Sequence, residues 1–245
     1  MNASTILAAA TTAISASAIA GPLLTITGSV GGFSPITVSS NGAATATAGR
    51  YSYVGGTVNT FPNPAWAISW NLLGDDSSVF TNSTFVTNGF RVQNLSGTSQ
   101  DFDITLKLAN PGLSNLQLAC NASLAGTITS DSAASSASVS SAVATPMWVG
   151  QVNGLDRAGT SLFVNQSFGA AAASTSSFGP ATGAWTGTVT GALTDIGYRM
   201  RFTLSGNSTV QFSGIWSGTV VPAPSAICAF VAAGALGSRR RRPSN

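Results

Sequence analysis

Between Tyr198 and Leu204, apolar and polar side chains alternate without a break: Tyr198, Met200, Phe202 and Leu204 against Arg199, Arg201 and Thr203. A period of two marks a strand with one buried face, because successive side chains point to opposite sides of a sheet. The pattern recurs along the chain. Phe102, Ile104, Leu106 and Leu108 alternate with Asp101, Asp103, Thr105 and Lys107, and Trp66, Ile68 and Trp70 share a face. Trp185, Val189 and Leu193 are set against Thr186, Thr188 and Thr190, and Val210, Phe212 and Trp216 against Gln211, Ser213 and Ile215. Asn41-Gly42, Asn88-Gly89 and Asn153-Gly154 read as hairpin-type turns, since both residue types tolerate positive φ. Helical periodicity is missing from the body, apart from the Ala/Ser-rich stretch 130–144, whose alternation suits a flat strand or a helix. The expectation is an all-β chain: an antiparallel, jelly-roll-like β-sandwich of about ten to twelve short strands. Residues 184–218 read as a three-stranded meander, and 170–177 as a loop.

Charge is sparse, at 7% of the 245 residues, and four of the ten basic side chains form one run, Arg239-Arg240-Arg241-Arg242. Without that run the body has six basic residues against seven Asp, close to neutral. Nucleic acid is therefore not an expected partner, because its recognition needs Lys and Arg clustered on a folded face. A surface of Ser, Thr, Asn and Gly with few charges suits an exported protein.

The chain has no His, and its seven acidic residues are all Asp. That excludes Ser-His-Asp and Cys-His nucleophilic sites, His general bases and His-containing zinc sites. An Asp-only hydrolase would use Asp101 and Asp103, which fall on one strand face roughly 6–7 Å apart; a solvated outer face is the default for that stripe. Asp75-Asp76, after Gly74, is a loop carboxylate pair of the kind that holds Ca²⁺, although no Asp-x-Asp-x-Asp-Gly run accompanies it. Of the five Trp, Trp66, Trp70, Trp185 and Trp216 sit at core parity. Trp148, after Pro146-Met147, has no assigned face and is the candidate for stacking on a sugar. Cys120 is the body's lone cysteine and reads as a small buried hydrophobe.

The two ends read as addresses. From Ser225 to Ser238 runs an apolar and small-residue segment of 14 residues. As a helix it spans about 20 Å, short of the roughly 30 Å hydrocarbon core. Pro222 and Pro224 keep it from extending upstream, and the four Arg behind it are placed to hold its end in the cytoplasm. Val221-Pro222-Ala223-Pro224, the Ala/Gly-rich apolar helix and the Arg cluster together resemble the PEP-CTERM sorting signal of exosortase substrates, with Ala223 where the namesake tripeptide has Glu. The resemblance covers Val221 to Arg242. It implies export, retention of the tail in the inner membrane as an intermediate, processing near the Pro-x-Pro motif by an exosortase-like enzyme, and delivery of the body to the cell surface. A plain tail anchor is the competing reading.

At the other end, Ile6 to Ala20 is an apolar and small stretch closing on Ala18-Ile19-Ala20, an A-x-A cleavage pattern with Gly21 as the mature start. No Lys or Arg precedes it, and an Ala/Thr-rich strand is the alternative. The expected organisation is a signal peptide over 1–20, a β-sandwich over 21–219 and a sorting tail over 220–245. The expected function is a non-catalytic surface or extracellular-matrix protein with no cofactor beyond that Ca²⁺. The second reading is a carbohydrate-binding module for an envelope polysaccharide.

Overall fold

A computed structural model describes residues 21–31, 35–59, 65–75, 82–109, 114–141 and 144–221, with the backbone alone over 82–88. Residues 1–20, where a signal peptide is expected, Asp76 and the tail from Pro222 onward, with its apolar segment and Arg239 to Arg242, lie outside the described residues. Among the described residues no helix is long and apolar enough to cross a membrane.

The chain starts with β1 (Leu23–Val30), β2 (Ile36–Asn41) and a short β3 (Ala43–Ala44), then lays down β4 (Arg50–Val58), β5 (Trp66–Asp75) and β6 (Asn82–Asn94). β7 (Gln100–Ala109), β8 (Ser114–Ser130), β9 (Ala137–Ser140) and β10 (Pro146–Val152) follow. Next come β11 (Leu155–Asp156), a single 3₁₀ turn (Ala158–Thr160), β12 (Leu162–Val164) and β13 (Ser167–Ala170). β14 (Thr175–Ala192), β15 (Asp195–Leu204) and β16 (Ser208–Val221) complete it.

These strands form two antiparallel sheets. The first runs β11-β10-β15-β7-β1-β2, with β12 beside β10, β9 beside β15 and β13 beside β9. The second runs β14-β8-β16-β6-β5-β4-β3. Register brings the apolar stripes of the first sheet into line: Phe102 lies opposite Phe202, Ile104 opposite Met200, and Leu106 between Tyr198 and Ile26. All of these are buried, and they join one core with Trp70, Phe90, Leu118, Phe212 and Trp216 of the second sheet. The two inner faces meet ring to ring: Phe202 lies 5.4 Å from Phe212, and Phe168 stacks on Phe178 at 4.4 Å. The arrangement is sandwich-like.

Alternation predicted the buried faces, but not which strands are neighbours. β14, β15 and β16 are not a meander: β14 and β16 flank β8 in the second sheet, whereas β15 lies between β10 and β7 in the first. The turns at 193–194 and 205–207 cross the sandwich, the latter through Asn207 at φ 50°. A strand across the core buries the same parity as a strand alongside, so the period is identical in both cases.

The Asn-Gly pairs divide in the same way. Asn153 (φ 52°) and Gly154 (φ 68°) make the expected two-residue hairpin between β10 and β11, pairing Val152 with Leu155. Asn88-Gly89 lies inside β6, where the register against β5 slips from Asn71 opposite Gly89 to Leu72 opposite Thr87; it is a bulge. Asn41-Gly42 connects one sheet to the other. The stretch 130–144 contains strand β9, and Thr175 to Ser177 open β14, which itself spans 18 residues, longer than expected.

Candidate functional site

The described charges are not spread evenly. β7, β11 and β15 of the first sheet carry Asp101, Asp103, Lys107, Asp156, Asp195, Arg199 and Arg201, whereas the strands of the second sheet carry only Arg50, Asp75 and Arg91. The outer face of β14, β8 and β16 presents uncharged Thr182, Thr186, Thr188, Asn121, Gln211 and Ser213. A cleft of about 640 Å³ opens on the charged face, lined by Ser29, Asp101, Asp103, Thr145, Arg199, Arg201 and Thr203.

Register explains the assembly. Asp103 lies opposite Ser29 on one side and Arg201 on the other, and Asp101 lies opposite Thr203. Phe102 and Phe202 between them point inward and stack at 5.3 Å, so the alternation that fills the core also turns these polar groups outward together. Arg199 reaches diagonally to Asp103, its Nε donating to Oδ1 at 2.7 Å and its Nη2 to Oδ2. The hydrogen bond to Asp103 raises the Arg199 pKa above its ordinary value. Thr203 Oγ1 donates to Asp101 Oδ1 at 2.5 Å. Arg201 makes one long contact, Nη2 to Asp156 Oδ2 at 3.3 Å, and its buried Nε has no acceptor. Asp156 is turned toward the sheet by Gln151, whose Nε2 donates to Oδ1 at 2.7 Å.

Asp101 and Asp103 thus share a cleft, as their spacing on one strand face requires. They sit two residues apart on one strand, and Arg199 covers both oxygens of Asp103. Acid–base glycoside chemistry instead places two carboxylates across the scissile bond from each other. What this cleft supplies is a set of hydrogen-bond donors and acceptors fixed on two central strands.

Trp148 is 2% exposed. Its ring stacks on Tyr198 at 5.4 Å and meets Trp216 edge to face, leaving no surface for a sugar, so the stacking role expected for it is corrected. The reason is local: almost every residue of β10 is buried, so no parity signal marked its inner face. Of the core-parity tryptophans, Trp185 is only partly buried, with the Arg157 guanidinium 4.4 Å from its ring centroid.

Asp75 is 8% exposed, and both its oxygens are engaged by Arg50, Nε to Oδ1 at 2.7 Å and Nη2 to Oδ2 at 3.1 Å. Arg50 thus pairs with both oxygens of Asp75, and Asp76, the other half of the expected Ca²⁺ pair, lies outside the described residues. No cluster of three or more metal-ligating residues occurs among the described residues. Cys120 is buried, and burial pushes its thiol up to about 12.

Gly21 packs at the mouth of β1, its N–H donating to Gly42 O at 3.2 Å, and a Cβ there would lie 2.3 Å from the Tyr51 ring. Ala18 and Ala20 lie outside the described residues. So do Pro222, Ala223 and Pro224, whereas Val221 pairs with Gln117 at the end of β16.

Sequence reasoning placed Arg199, Arg201 and Thr203 on a polar face but did not join them to Asp101 and Asp103, because the two segments are adjacent only through the strand order. Ser29 and Thr145 carried no signal of their own. No protein-family model matches the chain, and no curated protein matches it in sequence.

Proposed function

We propose that this is an exported cell-surface or extracellular-matrix protein whose body is a non-catalytic, jelly-roll-like β-sandwich, delivered by a PEP-CTERM-like tail. The observation that carries the reading is the tail itself, Val221-Pro222-Ala223-Pro224, an apolar segment and Arg239 to Arg242. The position of the last strand supports it: β16 is described as far as Val221, and the proposed processing motif follows directly in the sequence. The uncharged outer face of β14, β8 and β16 supports it too, as does the absence of His and Glu from the sequence. From β6 onward most connections cross between the sheets, the feature behind the jelly-roll description.

Cell fractionation tests the proposal, with the chain followed by an antibody to the body. The body is expected in the envelope or the medium, shorter than the full chain. Full-length chain in the cytoplasm with both ends intact overturns it.

A carbohydrate-binding module is the second reading. The cleft over β7 and β15 favours it; Trp148 does not.

A further inference from the structure

We propose that the cleft over β7 and β15 binds an uncharged saccharide, held through neighbouring hydroxyls by Asp101, Thr203 and Arg201. This deepens the carbohydrate-binding reading and rests on it; the location of the site and the class of sugar are the new elements.

The lining holds two carboxylates, Asp101 and Asp103, and two guanidiniums, Arg199 and Arg201, so its net charge is zero and it favours neither an anionic nor a cationic ligand. A metal ion is disfavoured further because Arg199 occupies Asp103. What remains open is polar and mixed. Asp101 is exposed, and Thr203 engages only its Oδ1, leaving Oδ2 as an acceptor. Arg201 has a single long contact to Asp156. A carboxylate presents two parallel acceptors and a guanidinium paired donors. A vicinal diol, in which each hydroxyl donates and accepts, can pair with both.

The position of the cleft argues against an extended peptide. β7 is paired on both edges, by β1 and β15, and β15 on both, by β7 and β10. No backbone ladder is left for strand addition, so a ligand here is recognised through side chains. The cleft volume of about 640 Å³ falls within the range typical of small-molecule sites. The ion pair between Arg199 and Asp103 holds the floor in place before any ligand arrives, which limits the ordering cost of binding.

The test uses the full chain on an array of neutral oligosaccharides printed beside uronate-bearing and sulfated ones, with titration calorimetry on the strongest binders. Neutral glycans are expected to bind. Asp101→Ala is expected to weaken that binding by about tenfold or more, the loss of one charge-assisted hydrogen-bonding group. Thr203→Val, which keeps the β-branched shape, is expected to weaken it less, and Lys107→Ala, on the same strand outside the cleft, to leave it unchanged. Thermal melts confirm that each variant is folded. If no glycan binds, the carbohydrate reading itself fails. If only anionic glycans bind, or if folded Asp101→Ala and Thr203→Val both keep the original affinity, that reading survives but the site and sugar class proposed here are wrong.

Discussion

Trp148 of β10 and Trp216 of β16 meet edge to face across the two sheets, their ring centroids 6.0 Å apart at an interplanar angle of 72°. Gly150 makes room for the contact, since a Cβ there would lie 2.6 Å from the Trp216 ring. The pair pins the strand β10 to the core and sets the spacing of the sheets where β10 and β16 face each other.

Removing either ring should therefore cost stability. Trp148→Ala is expected to destabilise the body by about 3–5 kcal/mol, the usual loss for a buried large aromatic. Gly150→Ala should destabilise it as well, by forcing the Trp216 ring off its position. Chemical denaturation reads both. A Trp148→Ala variant of unchanged midpoint would show that the ring is not a core element.

Asn94 is fully buried and joins two connections that cross the sandwich. Its Nδ2 donates to Thr98 O at 2.8 Å and Leu204 O at 2.9 Å, and its Oδ1 accepts from Ser96 N at 3.1 Å and Ser96 Oγ at 2.7 Å. Asn94→Ala removes all of these bonds, with Thr98 O keeping only its bond from Ser96 Oγ, and is expected to cost about 3 kcal/mol. Asn94→Asp should be no better, because a carboxylate cannot donate to the two carbonyls. Urea midpoints of the two variants check this.

Cys120 gives the fold a pH signature. Burial raises its thiol pKa from 9.0 to about 12, so between those values the unfolded chain releases a proton that the folded chain keeps. Protons then favour the folded state, and stability falls as pH rises, by about 1.4 kcal/mol per pH unit across that window. Below pH 9 the thiol is protonated in both states and contributes no slope. Measured from pH 8 to 10.5, the melting temperature of the natural chain should drop faster than that of Cys120→Ala. Parallel curves would mean that the thiol is not shielded.

The Arg50–Asp75 pair joins β4 to β5 at the strand end. The Arg50 side chain is 39% exposed and that of Asp75 10%, so solvent screens the cation while the carboxylate is nearly enclosed. Arg50→Met is expected to cost about 1 kcal/mol by leaving that carboxylate unpaired. The double variant Arg50→Met/Asp75→Leu should recover part of the loss. A double-mutant cycle with no coupling would contradict the pairing.

Much of the core was legible in the sequence. The stripes at Tyr198 to Leu204 and Phe102 to Leu108 bury the residues that their alternation predicts, because a period of two fixes which side of a strand is apolar. Pairing order was not legible. The crossing of β15 into the other sheet is decided by long-range packing, and no local residue in the turns at 193–194 or 205–207 distinguishes a hairpin from a crossover. The candidate site was half legible for the same reason: Asp101 and Asp103 were seen on one strand and Arg199 and Arg201 on another, while the register that brings Arg199 onto Asp103 spans 96 residues of chain. Trp148 lacked a readable face because β10 is buried on both sides. Asn94 looked like any other Asn; only the crossing backbone around it gives it a role.

Delivery remains the central claim, and intact mass of the protein recovered separately from cell membranes and from the medium tests it most directly. A released species is expected that begins at Gly21 and ends close to the Pro222-Ala223-Pro224 motif, without Arg239 to Arg242, beside a membrane species that lacks residues 1–20 but retains the tail. A single species in every fraction, carrying both Met1 and Asn245, would contradict it.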